Sequence, residues 1–332
     1  NLGVAEKCEE IHAKVVREGI LQKHVLLANS LVDMYAKSGA LPKAQDVFDE
    51  IPVRDTVSWT LLIAGYAEHG CVEEALQCFE EMQHEGLFPN AVTFIYIVKA
   101  CGDFGMSGKG QLIHDEIVRC GFLERDSVLG TALVNMYSKC GLPEKAQDVF
   151  NNLKVRNIVS WNAIISGYVL YGMELVVFNI FNKMLEQGIK PSSATFTILL
   201  NTCSHLGLLE RGLMYFATMS LVFNITPFVE HYTCIVDLFG RAGDFDKAIL
   251  AIKHMPFSVD ITVWHTLLGA CQKWGNVEIG VLAFEHAIQL DRKDSSAYVG
   301  LSNLYATSYI QDHNMNGRNS TLCISSCMEE VA

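Results

Sequence analysis

The sequence predicts an all-α chain, a solenoid of stacked helix-turn-helix repeats, and three observations carry that expectation. The chain matches itself at one offset: Ser30-Leu31-Val32-Asp33-Met34-Tyr35-Ala36-Lys37 returns 102 residues later as Ala132-Leu133-Val134-Asn135-Met136-Tyr137-Ser138-Lys139, and Val57-Ser58-Trp59 returns as Val159-Ser160-Trp161. Apolar residues recur at helical spacing within each copy. Half of the 332 residues are hydrophobic and only seven are proline, with little alternation of the kind strands show.

The 102-residue unit divides into sub-repeats of 31, 35 and 36 residues. They run 25–55, 56–90, 91–126, 127–157, 158–192 and 193–228, followed by a seventh at 229–260. Residues 1–24 read as a partial repeat, 261–306 as degenerate repeats beginning at 261 and 295, and 307–332 as an irregular or disordered polar tail. Each sub-repeat predicts two helices. In 56–90, Trp59, Leu62, Ile63 and Tyr66 form one apolar stripe, and Gly70 suits the turn that ends the first helix. Val72, Ala75, Leu76, Phe79 and Met82 form the second stripe, which stops at Gly86. Pro42 and Pro143 fall at the start of second helices, where a missing N–H is harmless. One such helix pair cannot bury both stripes alone, so neighbours must stack.

Bulk properties narrow the function. A formal charge of −12 argues against a protein that grips nucleic acid mainly through phosphates, though it leaves room for a local groove that reads bases. Eleven cysteines include no Cys-x-x-Cys, the nearest pair being Cys323 and Cys327, so a reducing compartment and no metal site are expected. Cys101, Cys203 and Cys271 read as small residues at close helix contacts. The most apolar run, 158–181, is broken by Asn162, Gly167, Gly172 and Glu174, and no membrane span is expected. The chain opens on Asn1, inside a repeat, so its start says nothing about targeting. Asn319-Ser320-Thr321 matches a glycosylation acceptor but reads as accidental.

Several stretches resemble the plant pentatricopeptide repeat family, in the subclass with alternating P, L and S motifs. They are Leu133-Val-Asn-Met-Tyr-Ser-Lys-Cys-Gly141, Val159-Ser-Trp-Asn-Ala-Ile-Ile-Ser-Gly167 and Val229-Glu-His-Tyr-Thr233. Trp264-His-Thr-Leu-Leu-Gly-Ala-Cys271 and Ser302-Asn-Leu-Tyr-Ala306 resemble the E-type motifs that follow the last S motif. The resemblance implies a right-handed α/α superhelix of stacked PPR/TPR-like repeats. It implies single-stranded RNA as partner, a mitochondrial or chloroplast setting, and a role in cytidine-to-uridine editing or processing. It also implies other editing proteins as partners, among them a deaminase supplied in trans. Some relatives carry a zinc deaminase domain needing His-x-Glu and a downstream Cys-x-x-Cys. Here His114-Asp115-Glu116 lies inside a repeat helix and no Cys-x-x-Cys follows, so no enzyme, cofactor or metal is expected.

The resemblance assigns base choice to the fifth and last residue of each repeat. Asn29 with Asp55 implies uracil, and Thr60 with Asn90 and Thr131 with Asn157 imply adenine. Asn162 with Ser192 implies cytosine, sometimes uracil, and Thr233 with Asp260 implies guanine. Ile95 with Asp126 and Thr197 with Phe228 fit no pairing. Second residues, Leu26, Val57, Val92, Val128 and Val159, would clamp the bases. The chemistry agrees: acceptor-only Asp suits the ring N–H of uracil and guanine, and an Asn amide or Ser hydroxyl suits the ring nitrogen of adenine and cytosine. Thr60 is expected to lie off the Trp59 core stripe. Any of these polar residues alone would read as an N-cap. Five pairs in register favour reading. The competing reading is a protein-interaction scaffold, which the acidity favours.

Overall fold

The computed structural model describes residues 12–14, 24–124 and 126–316. From residue 24 onward these form seventeen α-helices and one 3₁₀ turn, with no strand among the described residues. Two units are distinguished, Asn1–Ile189 and Lys190–Ala332.

In the first unit the helices are α1 Val25–Lys37, α2 Leu41–Asp49, α3 Thr56–Glu68, α4 Val72–His84, α5 Ala91–Asp103, α6 Ser107–Arg119, α7 Ser127–Lys139, α8 Pro143–Asn152, α9 Ile158–Leu170 and α10 Glu174–Glu186. The 3₁₀ turn is Phe122–Glu124. Each odd-numbered helix packs on its even-numbered successor, and α1, α3, α5 and α7 each pack on the next odd-numbered helix as well. Gly70 and Gly141, at φ +82° and +86°, supply the left-handed residue that ends the first helix of a pair. Pro42 and Pro143 sit in the first turn of α2 and α8.

The unit's core repeats with the sequence. Trp59 packs edge-on to Phe48 at 4.6 Å, with the Arg54 guanidinium 5.8 Å from the Trp59 ring. Its indole N–H donates to Glu85 Oε2 at 2.9 Å, while Glu85 Oε1 pairs with Arg54 at 3.1 Å. One knot thereby joins α2, α3 and the end of α4. One period later Trp161 meets Phe150 at 4.9 Å, and Arg156 covers that ring at 5.2 Å. Gln187 stands where Glu85 stood, and Trp161 Nε1 is buried without a partner.

Successive odd-numbered helices approach closely because small residues face each other. A Cβ on Gly102 would lie 2.9 Å from the Met136 Cα, which is backbone and cannot yield. Gly102→Ala should gain about 1 kcal/mol of helix propensity, yet lose more by forcing α5 from α7, an overpacking cost on the order of 1–3 kcal/mol. A lower denaturation midpoint is expected; an unchanged or higher one would contradict this packing.

The second unit has α11 Ser193–Leu206, α12 Leu209–Leu221, α13 Val229–Ala242, α14 Phe245–Lys253, α15 Ile261–Trp274, α16 Val277–Leu290 and α17 Ser295–Asn316. The same pairing rule holds, α11 on α13, α13 on α15 and α15 on α17. Cys101, Cys203 and Cys271 are fully buried beside Gly110, Gly212 and Gly280 of their partner helices. Burial pushes these thiols up to about 11, 11 and 12, so they pack rather than react.

The irregular tail expected from 307 does not begin there. Helix α17 runs to Asn316, because residues 307–316 contain neither Gly nor Pro to interrupt it. Residues 317–332 lie outside the described residues, with Cys323, Cys327 and Asn319, as does most of the partial repeat 1–24. Among the described residues, no helix is long and apolar enough to cross a membrane.

Candidate nucleic-acid interface

The last residue of each sub-repeat is the N-cap of the next odd-numbered helix. Asp55 Oδ1 accepts the Ser58 N–H at 2.8 Å, and Asn90 Oδ1 accepts that of Thr93 at 2.9 Å. Asn157 Oδ1 takes the N–H groups of Val159 and Ser160, both at 3.0 Å. Ser192 Oγ accepts from Thr195 at 3.4 Å, and Asp260 Oδ1 from Thr262 at 3.4 Å. A helix N-terminus offers only donors, so an Asn cap must turn its oxygen inward. Its amide NH₂ is then directed away from the helix. An Asp cap leaves its second carboxylate oxygen instead. Capping therefore fixes the sense of the hydrogen bond each residue can offer: Asn90 and Asn157 donate, Asp55 and Asp260 accept. Burial pushes the Asp55 carboxyl up. Hydrogen bonds from the Ser58 N–H, the Ser58 hydroxyl and the Asn29 amide outweigh it, and the net is a carboxyl below its ordinary value, ionised at neutral pH.

The fifth residues are more enclosed than the sequence suggests. Thr60 was expected off the core stripe, but it is 7% exposed, and Asn29 and Thr131 are 4% and 5% exposed. The next repeat covers them. Thr60 Oγ1 lies 2.6 Å from the Thr56 carbonyl and 2.7 Å from Thr93 Oγ1, which lies 3.1 Å from Asn90 Oδ1. Thr93 thus ties the two expected readers of repeat 56–90 into one chain. Asn29 reaches Asp55 directly, Nδ2 to Oδ1 at a long 3.5 Å, and its own Oδ1 is buried without a partner. Thr131 donates to the Ser127 carbonyl at 2.8 Å. Asn162 is half-buried on α9 in the first unit, whereas Ser192 begins α11 in the second.

The second residues stand out for the opposite reason. Leu26, Val57, Val92, Val128 and Val159 are apolar yet between 50% and 82% exposed. Each of the four valines follows a capping residue by two positions, so an apolar surface flanks a polar one at these four repeat starts.

In the second unit Thr233 donates to the Val229 carbonyl at 2.9 Å. It lines a groove of about 490 Å³ with Asn201, Asp237, Arg241, His265 and Lys273. The sequence reading missed His265 and Asp294, the fifth and last residues of 261–294, which are hydrogen-bonded to each other. The signal was present: an Asp at the last position, in register with Asp55 and Asp260. The reading also missed the third residues, Ser58 and Thr93, because their role depends on contact with a neighbouring repeat.

The His-x-Glu match at His114 is occupied by structural bonds. His114 Nδ1 meets the Tyr137 hydroxyl at 2.9 Å, and Glu116 accepts from Gln83. Among the described residues, no group of three or more His, Cys, Asp or Glu could hold a metal ion.

Comparison with known proteins agrees with this repeat geometry. The "PPR repeat family" model matches residues 54–103 and 156–205, and the "PPR repeat" model matches 27–55, 131–158 and 230–257. The Arabidopsis thaliana pentatricopeptide repeat-containing protein CRR2, chloroplastic, is 41% identical over 310 residues, 92% of this chain and 47% of that protein. The Arabidopsis relative At3g11460, whose name places it in mitochondria, is 35% identical over 302 residues, 91% of this chain and 48% of that protein. The chain spans about half the length of the relatives it matches. The crystal structure of the pentatricopeptide repeat protein PPR10 from maize shares the fold, with TM-score 0.57 and 18% identity over 95% of this chain and 48% of that one. With helix pairs of this kind, family models falling on five stretches and plant relatives aligned along nine-tenths of its length, the chain belongs to the pentatricopeptide repeat (PPR) family.

Proposed function

We propose that this chain binds single-stranded RNA in a sequence-specific way, one base per repeat, as a non-catalytic site-recognition factor in organellar RNA modification or processing. The observation that carries this reading is the capped row: residues at the last position are held by their caps so that Asn can only donate and Asp can only accept. Adenine N1 and cytosine N3 accept, which suits Asn; uracil N3–H and guanine N1–H donate, which suits Asp. The exposed second residues beside these caps offer apolar faces between which a base would lie. In single-strand binders, stacking contributes about 1–3 kcal/mol per base. A few such modules reach useful affinity without a basic surface.

Family membership supports the same direction. PPR10 has been crystallised in complex with an 18-nt psaJ RNA element, and that structure aligns with 88% of this chain at TM-score 0.51. Chloroplastic and mitochondrial relatives favour an organellar setting. The alternating repeat lengths and the E-type motifs from 261 favour the subclass with P, L and S motifs. Other editing proteins, among them a deaminase supplied in trans, are the partners this reading proposes for cytidine-to-uridine editing.

The readers, taken in order from the N-terminal repeat at the 5′ end, specify 5′-U-A-n-A-C-n-G-3′. Selection from random-sequence RNA should enrich this pattern. Folded protein that enriches nothing related would sink the reading. The charge of −12 favours a second reading, a scaffold for peptides. An RNA gel shift at moderate salt separates the two, since a peptide scaffold leaves the RNA unshifted.

A further inference from the structure

Repeat 193–228 breaks the pattern of the others, and the way it does so points to a ligand contact. Its last position is Phe228, which has no side-chain oxygen with which to cap α13. No side chain replaces it as the cap; His231, the third residue of the next repeat, makes the reciprocal bond to the N-cap N–H that Ser58, Thr93 and Thr195 make in other repeats. His231 Nδ1 accepts the Phe228 N–H at 3.0 Å. A ring nitrogen that accepts carries no proton, so the proton sits on Nε2. From there it donates to the Ser193 carbonyl at 3.1 Å, with Thr197 Oγ1 at 3.2 Å. The Thr197 hydroxyl also reaches the Ser193 carbonyl, at 3.2 Å. The imidazole is 1% exposed and wedged between α11 and α13.

Two things follow. The His231 imidazole is spent on its neighbours and Phe228 has no polar group, so the last position of this module has no directional bond to offer a base edge. Phe228, which does not cap, is 54% exposed in the row where other repeats place their capping readers. The nearest aromatic ring is that of His231, 6.4 Å away and tilted by 37°, which is a loose contact rather than a packed pair. A large apolar ring stands in water at a register position where other repeats carry polar side chains, and its flat π-face without hydrogen-bonding groups suits the face of a nucleobase.

We infer that Phe228 is a stacking platform for the nucleobase facing repeat 193–228, binding that base without choosing it. The inference rests on the RNA-binding reading and deepens it. The sixth letter of the motif, left open above, is a contacted base of any identity and not a gap.

The test uses the full chain and motif RNAs carrying each of the four bases, or an abasic nucleotide, at the sixth position, with a scrambled RNA as control. Wild type should bind the four bases within about threefold of one another, because every base has a π-face, and the abasic RNA roughly fivefold or more weakly. Phe228→Ala should bind all five motif RNAs alike, at the level wild type shows for the abasic one. Phe228→Leu, which keeps apolar bulk without the ring, should fall between. Phe228 makes no side-chain cap, and the His231 bond goes to the main-chain N–H of residue 228, which both variants keep, so circular dichroism should match wild type. Wild type that prefers motif to scrambled RNA while Phe228→Ala changes nothing would overturn the inference and leave the RNA reading standing. Strong choice of one base at the sixth position would also overturn it. Wild type that binds no single-stranded RNA would overturn both.

Discussion

Thr60→Asn with Asn90→Asp should weaken binding to RNA with adenine at the second motif position by about tenfold or more, and restore it with uracil there, a discrimination of about 1–3 kcal/mol by analogy with paired base contacts in DNA. The cap geometry explains the sign. Asn90 holds its oxygen on the Thr93 N–H and directs its amide outward, whereas an Asp in that seat would present an oxygen. An acceptor facing adenine N1 repels it, and one facing uracil N3–H binds it. The double variant rebuilds the Asn29–Asp55 pair one repeat later, but not its surroundings. Thr60 is buried against Thr93, while Asn29 faces a repeat whose third residue is Ser58. Asn is larger than Thr by one heavy atom, and overpacking of a closed site costs about 1–3 kcal/mol. Adding Thr93→Ser removes a methyl at that contact and should recover much of the stability without changing base preference. The measurement is binding of both variants and wild type to both RNAs, with denaturation midpoints alongside. A variant that weakens both RNAs equally would show that these residues do not read bases.

Trp59→Ala should be the most damaging single truncation in the first unit. Aromatic-to-alanine changes in packed cores cost about 3–5 kcal/mol. Here a hydrogen bond to a carboxylate is lost as well, and such bonds contribute about 1.5–3 kcal/mol. Trp161→Ala, at the matching position one period later, should cost less, because Trp161 Nε1 already lacks a partner. Substitution by Phe sharpens the contrast. It should destabilise at Trp59, where Glu85 loses its donor, and be close to neutral at Trp161. In a repeat chain stability is largely a sum over neighbours, so hydrogen exchange in 41–84 is the appropriate readout. Equal costs at the two tryptophans would contradict the assigned role of Glu85.

What was legible in the sequence is what repeats along it. The 102-residue offset exposed the period, and the stripes through Trp59 and Val72 marked the helix faces. The register of Asn90 and Asp55 was visible for the same reason. What escaped depends on contacts between repeats. Thr60 looks peripheral within its own helix and becomes buried only when Thr93, 33 residues on, closes over it. The Trp59 indole finds Glu85 26 residues away. His231 makes the bond to the N-cap N–H from a position where other repeats carry Ser or Thr, and nothing local identifies it. The end of α17 was misjudged from polarity alone, although polar residues without Gly or Pro extend a helix readily.

The double duty of the capping residues limits what such a chain can evolve to read. A last residue must hold the next helix together before it can discriminate anything, and losing a cap costs about 1 kcal/mol. Only side chains that cap well are admissible, chiefly Asn, Asp and Ser, so the alphabet of specificity is inherited from helix chemistry and not chosen freely. Within that alphabet change is cheap. Asn and Asp cap equally well, so a repeat can pass from one letter to another in a single step without an unstable intermediate. Leaving the alphabet, as at Phe228, gives up the side-chain cap, and such moves should therefore be rare.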